Sequence, residues 1–228
     1  KITIDFIIES LKAEKIAAVY SHSFNHCVFV QEDGLAELPK IEIFYKKVKK
    51  QDYIIVTGDV QPVDERGCYG LCEGLIEYFM SKKGIEIITL GGIGLEDIPK
   101  EPRVFICGNN IKIVKKYRER GVGENIFNIV GPILGVSGVL VGVAKIHNIP
   151  AISILAETFG NPWYLGVKGS REIIKLLELK LKLGLDLKAL DKEIKEVEKE
   201  VKFKVDKLQS IQSDENIIEK KHSTNYIG

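Results

Sequence analysis

A carboxylate cluster follows the apolar run at residues 53–57 and is the first place where this sequence could do chemistry. The cluster contains Asp59, Asp64 and Glu65. Ligands favour the carboxyl edge of open α/β sheets, where neighbouring carboxylates can act as general acid and base. Acidic side chains are also favoured at the start of a helix, and a helix is predicted at residues 67–83. We favour this structural interpretation, with Asp59 capping the turn.

A second polar segment follows the predicted strand at residues 151–155. It brings Glu157, Asn161, Trp163 and Tyr164 to the same expected edge. This composition fits a ligand pocket or a protein-contact rim, since Trp and Tyr are enriched in interface hot spots. No set of hydroxyl, imidazole and carboxylate groups for acyl transfer can be recognised. We therefore predict no catalytic residue.

Histidine and cysteine residues indicate a metal site only weakly. His22 and His26 are four apart and Cys27 follows, but they lie between two predicted strands, where this spacing does not align the rings for zinc. A polar turn is the better interpretation. Cys68 and Cys72 are one helical turn apart, with no second ligand pair nearby. We predict that the cysteines are buried reduced thiols and that the protein binds no metal or cofactor.

Glycine-rich segments could indicate nucleotide binding, but the required motifs are incomplete. A phosphate loop ends in a lysine and a hydroxyl residue, and the segment at residues 131–137 lacks that pair. A dinucleotide fingerprint has the pattern G-x-G-x-x-G. Gly92-Ile93-Gly94 matches its start, but Asp97 stands where the third glycine is needed. Nucleotide binding is therefore disfavoured.

The same glycines predict a helix that packs closely against a neighbour. Gly131, Gly135, Gly138 and Gly142 recur every three or four residues in an apolar run. On a helix this spacing places them along one side, which another backbone can approach closely. We expect close packing, rather than ligand capture, to explain their small size.

Composition and charge exclude several partner classes. The 228 residues carry a net charge of +1, which gives no electrostatic reason to expect nucleic acid or an anionic membrane. An apolar content of 45% is ordinary for a globular protein. The longest apolar run, at residues 130–144, is too short to cross a bilayer. A cytoplasmic protein is the expectation.

Alternating strand and helix patterns at residues 53–183 predict an α/β fold. The sheet is expected to be mostly parallel with helices on both faces, and the earlier strands could add an antiparallel extension. The run at residues 53–57 is expected to be buried on both faces. The strand at residues 85–90 is expected to break at Gly91-Gly92.

The C-terminal residues have a different composition. With Leu190 at position d, seven of nine positions in a 3-4 spacing are apolar, as in a coiled coil. The predicted oligomerisation residues are Leu190, Ile194, Val197, Val201, Leu208 and Ile211. This long helix is expected to pair with another subunit or to lie on the parent domain. The predicted organisation is an α/β domain at residues 1–184, a helical extension at 185–221 and a flexible tail at 222–228.

Several short blocks occur in an order that resembles a known family. They are Asp59, Gln61 and Pro62, then Gly91 and Gly92, then Gly131, Pro132, Gly135 and Gly138, and then Glu157. In this order they resemble the proteasome assembly chaperone family, a largely archaeal group similar to the eukaryotic chaperones that help build the α-ring of the 20S proteasome. The similarity covers roughly residues 16–196, and the order of the blocks makes it specific.

The resemblance implies a domain like that of the nucleoside phosphorylases, without an established catalytic centre. It also implies homo-oligomers that bind proteasome subunits. Some family members dock through a C-terminal tail made of a hydrophobic residue, a tyrosine and one last residue. The tail of this chain, Asn225-Tyr226-Ile227-Gly228, places the tyrosine one residue out of that register. Tyr226, Ile227 and Gly228 are the predicted partner-binding residues.

Three functions remain open at this point. The first is a proteasome assembly chaperone that binds subunits of the α-ring without catalysis. The second is a binding protein, hydrolase or phosphorylase for nucleoside-like small molecules on the same fold, although fold similarity alone does not confer activity. The third is a structural oligomer held together by the C-terminal helix.

Overall fold

A computed structural model describes residues 1–123, 131–161, 164–192 and 194. The chain divides into two compact units, residues 1–186 and 187–228. The helices of the first unit are α1 (Ile2–Leu11), α2 (Glu65–Ser81), α3 (Ile111–Tyr117), α4 (Val136–Ile146) and α5 (Val167–Leu181). Its strands are β1 (Glu14–Val19), β2 (Phe29–Val30), β3 (Ala36–Glu37), β4 (Ile41–Val48), β5 (Gln51–Gly58), β6 (Ile87–Leu95), β7 (Val104–Gly108), β8 (Val122–Gly123) and β9 (Ala151–Phe159).

The described strands form three sheets. One is antiparallel with the order β1-β4-β5, one is the β2–β3 hairpin, and the third has the order β6-β9-β7-β8. The predicted α/β fold is confirmed, and the early strands are antiparallel as expected. The prediction of a mostly parallel sheet is wrong: β6 is parallel to β9 and β7 to β8, but β7 runs antiparallel to β9.

Strand β5 is less buried than its composition suggested. It lies at one end of its three-stranded sheet, and only Ile55 falls in the buried class. The prediction of a strand covered on both faces therefore fails. The strand that fits this description is β9, which lies between β6 and β7 and is buried over its first seven residues.

Strand β6 does not break at its glycines. It pairs with β9 in one continuous register, from Ile87 opposite Ala151 to Leu95 opposite Phe159. The parallel ladder supplies the hydrogen bonds that keep the backbone extended through Gly91 and beyond. Tertiary pairing thus outweighs the low strand preference of glycine.

Helices α2 and α4 pack together on one side of the core. Cys72 and Ile76 of α2 lie in the same apolar cluster as Val143 and Ala144 of α4, and this cluster also contains Ala151 of β9. Within the described residues, no helix is long and apolar enough to cross a membrane.

Two helices end beside the turn between β4 and β5. The C-cap residues Lys12 of α1 and Lys182 of α5 both adopt left-handed backbone conformations, with φ of 51° and 53°. The Lys46 ammonium donates to the Lys12 carbonyl over 3.4 Å, and the Lys49 ammonium donates to the Lys182 carbonyl over 3.2 Å. Positive charge here complements the negative ends of both helix dipoles.

In the second unit, Leu190 and Ile194 are buried, with 2% and 6% of their surface exposed. The other predicted oligomerisation residues lie outside the described residues, as does the tail with Tyr226, Ile227 and Gly228. Their roles stay predictions.

Candidate functional site

The loop after β5 is joined to the start of α4 by Gln61. The N-cap residue of α4 is Gly135, which has no side chain to accept a hydrogen bond from the first turn. The Gln61 Oε1 atom supplies that acceptor, 3.3 Å from the Val136 amide and 75 residues away in sequence. A Cβ atom on Gly135 would lie 2.3 Å from this oxygen, and the φ of Gly135 is +75°. The positive φ favours glycine at this position, and any larger residue would also displace the Gln61 side chain.

Close packing explains only some of the four regularly spaced glycines. A Cβ atom on Gly138 would lie 2.0 Å from the Ile133 carbonyl oxygen, because the preceding loop folds against the first turn of α4. A Cβ atom on Gly131 or Gly142 would have no neighbour within 4 Å. The predicted helix over all four glycines is wrong: α4 begins at Val136, since the positive φ of Gly135 is not helical.

Two glycines of β6, Gly91 and Gly92, leave room for side chains of β9. A Cβ atom on Gly91 would lie 2.7 Å from Leu155 Cδ2, and one on Gly92 would lie 2.9 Å from Thr158 Cγ2. On the same strand, Thr89 Oγ1 donates to the carbonyl of Ser137 over 2.9 Å. The first turn of α4 is therefore fixed directly against β6.

A half-open cavity of about 260 Å³ lies between β6 and the start of α4. It is lined by Gly91, Gly92, Pro132, Ile133, Leu134, Ser137 and Leu155. The only polar side chain among these lining residues is the Ser137 hydroxyl. The cavity can accept an apolar group, but its lining residues supply no charge for a phosphate or a metal ion.

Glu157 takes part in an ion pair with Arg103 at the start of β7. Its side chain is 4% exposed and accepts from both the Arg103 amide and the Arg103 Nε over 2.9 Å, with a further contact to Nη2. The guanidinium also lies 5.3 Å from the ring centroid of Phe105. The hydrogen bonds from Arg103 lower the pKa of Glu157, against the opposing effect of burial. The carboxylate is thus a charged bridge between β9 and β7.

The carboxylates after β5 are engaged in structural contacts. Asp64 is the N-cap residue of α2 and accepts from the Gly67 amide over 2.7 Å, which lowers its pKa. This confirms the structural interpretation of Asp64 at a helix start. Asp59 lies 3.3 Å from the Lys1 ammonium, an exposed contact rather than the expected turn cap.

The cysteines are only partly as predicted. Cys68 and Cys72 are buried free thiols, and burial raises the pKa of Cys72 to about 12. Cys107 is intermediate and Cys27 is exposed, so the prediction of burial is wrong for Cys27. Among the described residues there is no group of three or more His, Cys, Asp or Glu side chains that could hold a metal ion.

The structure brings together most, but not all, of the residues that carried the resemblance. Gly91, Gly92 and Pro132 line the cavity, and Gln61, Gly135 and Gly138 fix the segment that closes it. Glu157 instead joins Arg103, and Asp59 joins Lys1. Arg103, Thr89 and Ser137 were not predicted, because no local spacing links them to partners that are distant in sequence.

A profile of the PAC2 family matches residues 1–204 of the chain. The chain belongs to the PAC2 family. The sequence of Pyrococcus furiosus PbaB, an archaeal proteasome activator with a crystal structure, is 31% identical to this PAC2-family chain. The two structures superpose with a TM-score of 0.79. That match covers 90% of this chain and 87% of PbaB.

Other relatives of this PAC2-family chain extend the likeness of fold. Pyrococcus furiosus PbaA, an archaeal homolog of proteasome-assembly chaperone, is 19% identical with a TM-score of 0.73, over 99% of this chain and 89% of PbaA. A proteasome-assembly chaperone homologue of Mycobacterium tuberculosis is 18% identical with a TM-score of 0.68, over 88% and 86%. An uncharacterized protein of Methanocaldococcus jannaschii is 25% identical over 93% of this chain and 82% of its own length. The resemblance to proteasome assembly chaperones is confirmed.

Proposed function

We propose that this PAC2-family chain is a cytoplasmic proteasome assembly factor that binds subunits of the α-ring as a homo-oligomer and performs no catalysis. The observation that carries proteasome binding is the likeness to PbaB, an archaeal proteasome activator, at 31% identity over 90% of the chain. The likeness of fold to PbaA, an archaeal homolog of proteasome-assembly chaperone, favours the assembly role. The packing role of Gln61, Gly135 and Gly138 supports it, because these residues hold an element in place rather than present a reacting group.

Binding can be tested with purified proteins. The full chain, immobilised at micromolar concentration, is expected to retain proteasome α-subunits from the same organism. An unrelated protein of similar size and charge serves as the control surface. Absence of retention above that control would contradict the proposal.

A second candidate function is activation of the assembled proteasome, which the likeness to PbaB, an archaeal proteasome activator, favours. An assembly chaperone accelerates ring formation from free α-subunits, whereas an activator raises peptide hydrolysis by the mature particle. Measuring both reactions with the same preparation distinguishes the two functions.

The predicted tail contact can be tested within the same assay. We expect Tyr226→Ala to weaken binding to α-subunits, because the tyrosine is the anchoring side chain that the family resemblance implies. Tyr20→Ala, which removes a tyrosine that is 59% exposed on another part of the chain, is the matched control. Equal binding by both variants would remove the tail from the proposal and leave the domain as the binding surface.

A nucleoside-like ligand is the alternative from the sequence. The cavity beside β6 offers such a ligand only one hydroxyl group among its lining side chains. We therefore expect nucleosides and phosphate to leave the midpoint of thermal unfolding unchanged, whereas a shift of several degrees would favour the alternative.

A further inference from the structure

The turn of the β2–β3 hairpin contains the dipeptide Asp33-Gly34. Asp33 is the only aspartate of the sequence that is followed by glycine. Both residues are exposed, and a Cβ atom on Gly34 would meet no atom within 4 Å. The peptide nitrogen that follows an aspartate can attack the carbon of the side-chain carboxyl group and close a five-membered imide ring. A glycine at the following position leaves this nitrogen unhindered, because glycine has no Cβ atom.

Two hydrogen bonds hold the turn in its closed form. The Gly34 amide donates to the Gln31 carbonyl over 2.9 Å, and the Leu35 amide donates to Asp33 Oδ1 over 3.0 Å. The second bond keeps the Asp33 carboxyl group beside the backbone of the residues that follow it, as aspartate side chains do in turns. The first bond must break before the Gly34 nitrogen can react.

Breaking that bond requires only a local opening of the hairpin. Within the described part of the chain, the hairpin pairs with no other strand, and β2 and β3 are two residues long. Residues 31–36 are all exposed, so their opening disrupts little buried surface. An isolated two-stranded hairpin is marginally stable in water, and segments with few buried contacts open at low free energy. The reactive form of the turn is therefore easily reached.

We propose that Asp33 is a site of spontaneous isomerisation, where aspartate converts to isoaspartate through a succinimide. The Gly34 nitrogen bonds to Asp33 Cγ, and the hydroxyl of the protonated carboxyl group leaves as water with the amide proton. Water then opens the imide at one of its two carbonyl groups. Opening at the side-chain carbonyl restores aspartate, whereas opening at the main-chain carbonyl gives isoaspartate. No group is oxidised or reduced, and water is the only co-reactant.

The product changes the hairpin that surrounds it. Isoaspartate inserts one methylene group into the main chain of the turn. The register that places Phe29 opposite Glu37 depends on the geometry of that turn. We expect isomerisation to break the bond of 2.9 Å from the Gln31 amide to the Leu35 carbonyl. Isoaspartyl residues are substrates of methyltransferases that use S-adenosylmethionine, so this turn is where such an enzyme would modify the protein.

Ageing of the full chain tests the site. The purified protein is incubated below its unfolding temperature, and isoaspartate is located by labelling with an isoaspartyl methyltransferase, digestion and mass spectrometry. We expect label at position 33 before any at Asp59 or Asp97, which are exposed aspartates followed by larger residues. Asp33→Glu should lose this label, because glutamate would have to close a larger and less favourable ring. No isoaspartate at position 33, or equal amounts at the other two aspartates, would overturn the proposal.

A comparison of the folded and the unfolded chain tests the opening of the turn. Because little structure has to open, the folded protein should form isoaspartate at Asp33 at a rate that approaches the rate in concentrated urea. Reaction in urea without detectable reaction in the folded protein would show that the Gly34–Gln31 bond protects the turn. That result would also overturn the proposal.

Hydrogen exchange tests the consequence for the hairpin. The aged wild type should lose protection of the Gln31 amide in proportion to its isoaspartate content. Asp33→Glu should show the same protection before and after ageing. Full protection of Gln31 in the isomerised protein would contradict the predicted loss of pairing. These measurements do not involve the proteasome, so their outcome is independent of the proposed function.

Discussion

The Glu157 carboxylate is the most deeply buried ionic group among the residues that carried the family resemblance. The sequence predicted that it follows a buried strand and could contact a ligand or a partner, whereas it lies within β9 and is itself buried. Its partner Arg103 is 54 residues away and mostly exposed, with 63% of its side chain accessible. Only the antiparallel pairing of β7 with β9 brings the two together, and strand periodicity carries no information about that pairing.

Glu157→Gln tests this bridge. The substitution keeps the shape of the side chain but places an NH₂ group or a neutral oxygen against the donors of Arg103. We expect the free energy of unfolding, measured in urea at neutral pH, to fall by about 1–3 kcal/mol, the usual range for a hydrogen bond to a charged group. Glu96→Gln, which neutralises an exposed acid, should change it little. Equal effects of the two substitutions would contradict the role of the bridge.

The same pair makes a prediction about pH. The folded-state pKa of Glu157 lies below its ordinary value of 4.5, so the ionised form stabilises the fold. This contribution is fully present above the ordinary pKa and is lost as the pH falls through the lowered folded-state pKa. The difference in unfolding free energy between the wild type and Glu157→Gln should therefore shrink in acid. A difference that grows in acid would have the wrong sign.

At the scale of elements, local pattern and tertiary pairing compete most clearly in α4 and β6. Apolar periodicity predicted a helix at residues 67–83, and α2 spans Glu65–Ser81, whereas the predicted glycine helix was extended back to Gly131. The helix cannot continue back through Gly135, because the φ of Gly135 is positive. The spacing of glycines in a sequence does not indicate the φ of any one of them. In β6, Gly91 was expected to end the strand and instead accommodates Leu155. Both errors come from neighbours that are distant in sequence.

Helix α4 contains two glycines that should respond oppositely to alanine. Gly138→Ala places a Cβ atom against the Ile133 carbonyl, and we expect it to destabilise the protein by about 1–3 kcal/mol through overpacking. Gly142→Ala meets open space and should stabilise the protein by roughly 0.5–1 kcal/mol, through helix propensity. Thermal or urea unfolding of both variants measures this. Destabilisation by Gly142→Ala would show that another group packs against Gly142 in solution.

The lysines beside the β4–β5 turn give a further prediction. Lys46→Met and Lys49→Met each remove a donor to the C-terminal carbonyl of a helix, which typically costs about 0.3–1 kcal/mol at low ionic strength. Lys50→Met, an exposed neighbour, is the control. Urea unfolding at low and high salt should show the loss mainly at low salt, because salt screens this interaction. A loss of unfolding free energy that does not depend on salt would indicate that the methylene groups of the lysines, rather than their charges, stabilise this region.

At the scale of the whole molecule, composition predicted a globular protein, the alternation of strand and helix patterns predicted an α/β fold, and the ordered blocks predicted the family. Sheet order and strand direction could not be predicted, because they depend on which distant strands meet. β9 belongs between β6 and β7, although β7 precedes it by more than forty residues. The prediction of a coiled-coil stripe stays untested beyond Ile194.

The stripe makes a prediction about assembly. If it pairs with another subunit, Leu208→Asp should reduce the mass measured by light scattering, since a charge would enter an apolar seam. Ser210→Asp adds the same charge off the stripe and should leave the mass unchanged. An unchanged mass in both variants would favour the other interpretation, in which the stripe lies on its own domain.

The central place of β9 also bears on how the protein is made. During synthesis, β6 and β7 emerge first, each with the edge that β9 will occupy still bare. At about 5–20 residues per second, the ribosome needs several seconds after β7 before β9 is complete. Throughout that interval the nascent chain presents two strand edges that lack their β9 partner, together with an unfilled core. Premature release or a pause between β7 and β9 would therefore leave a fragment prone to aggregation.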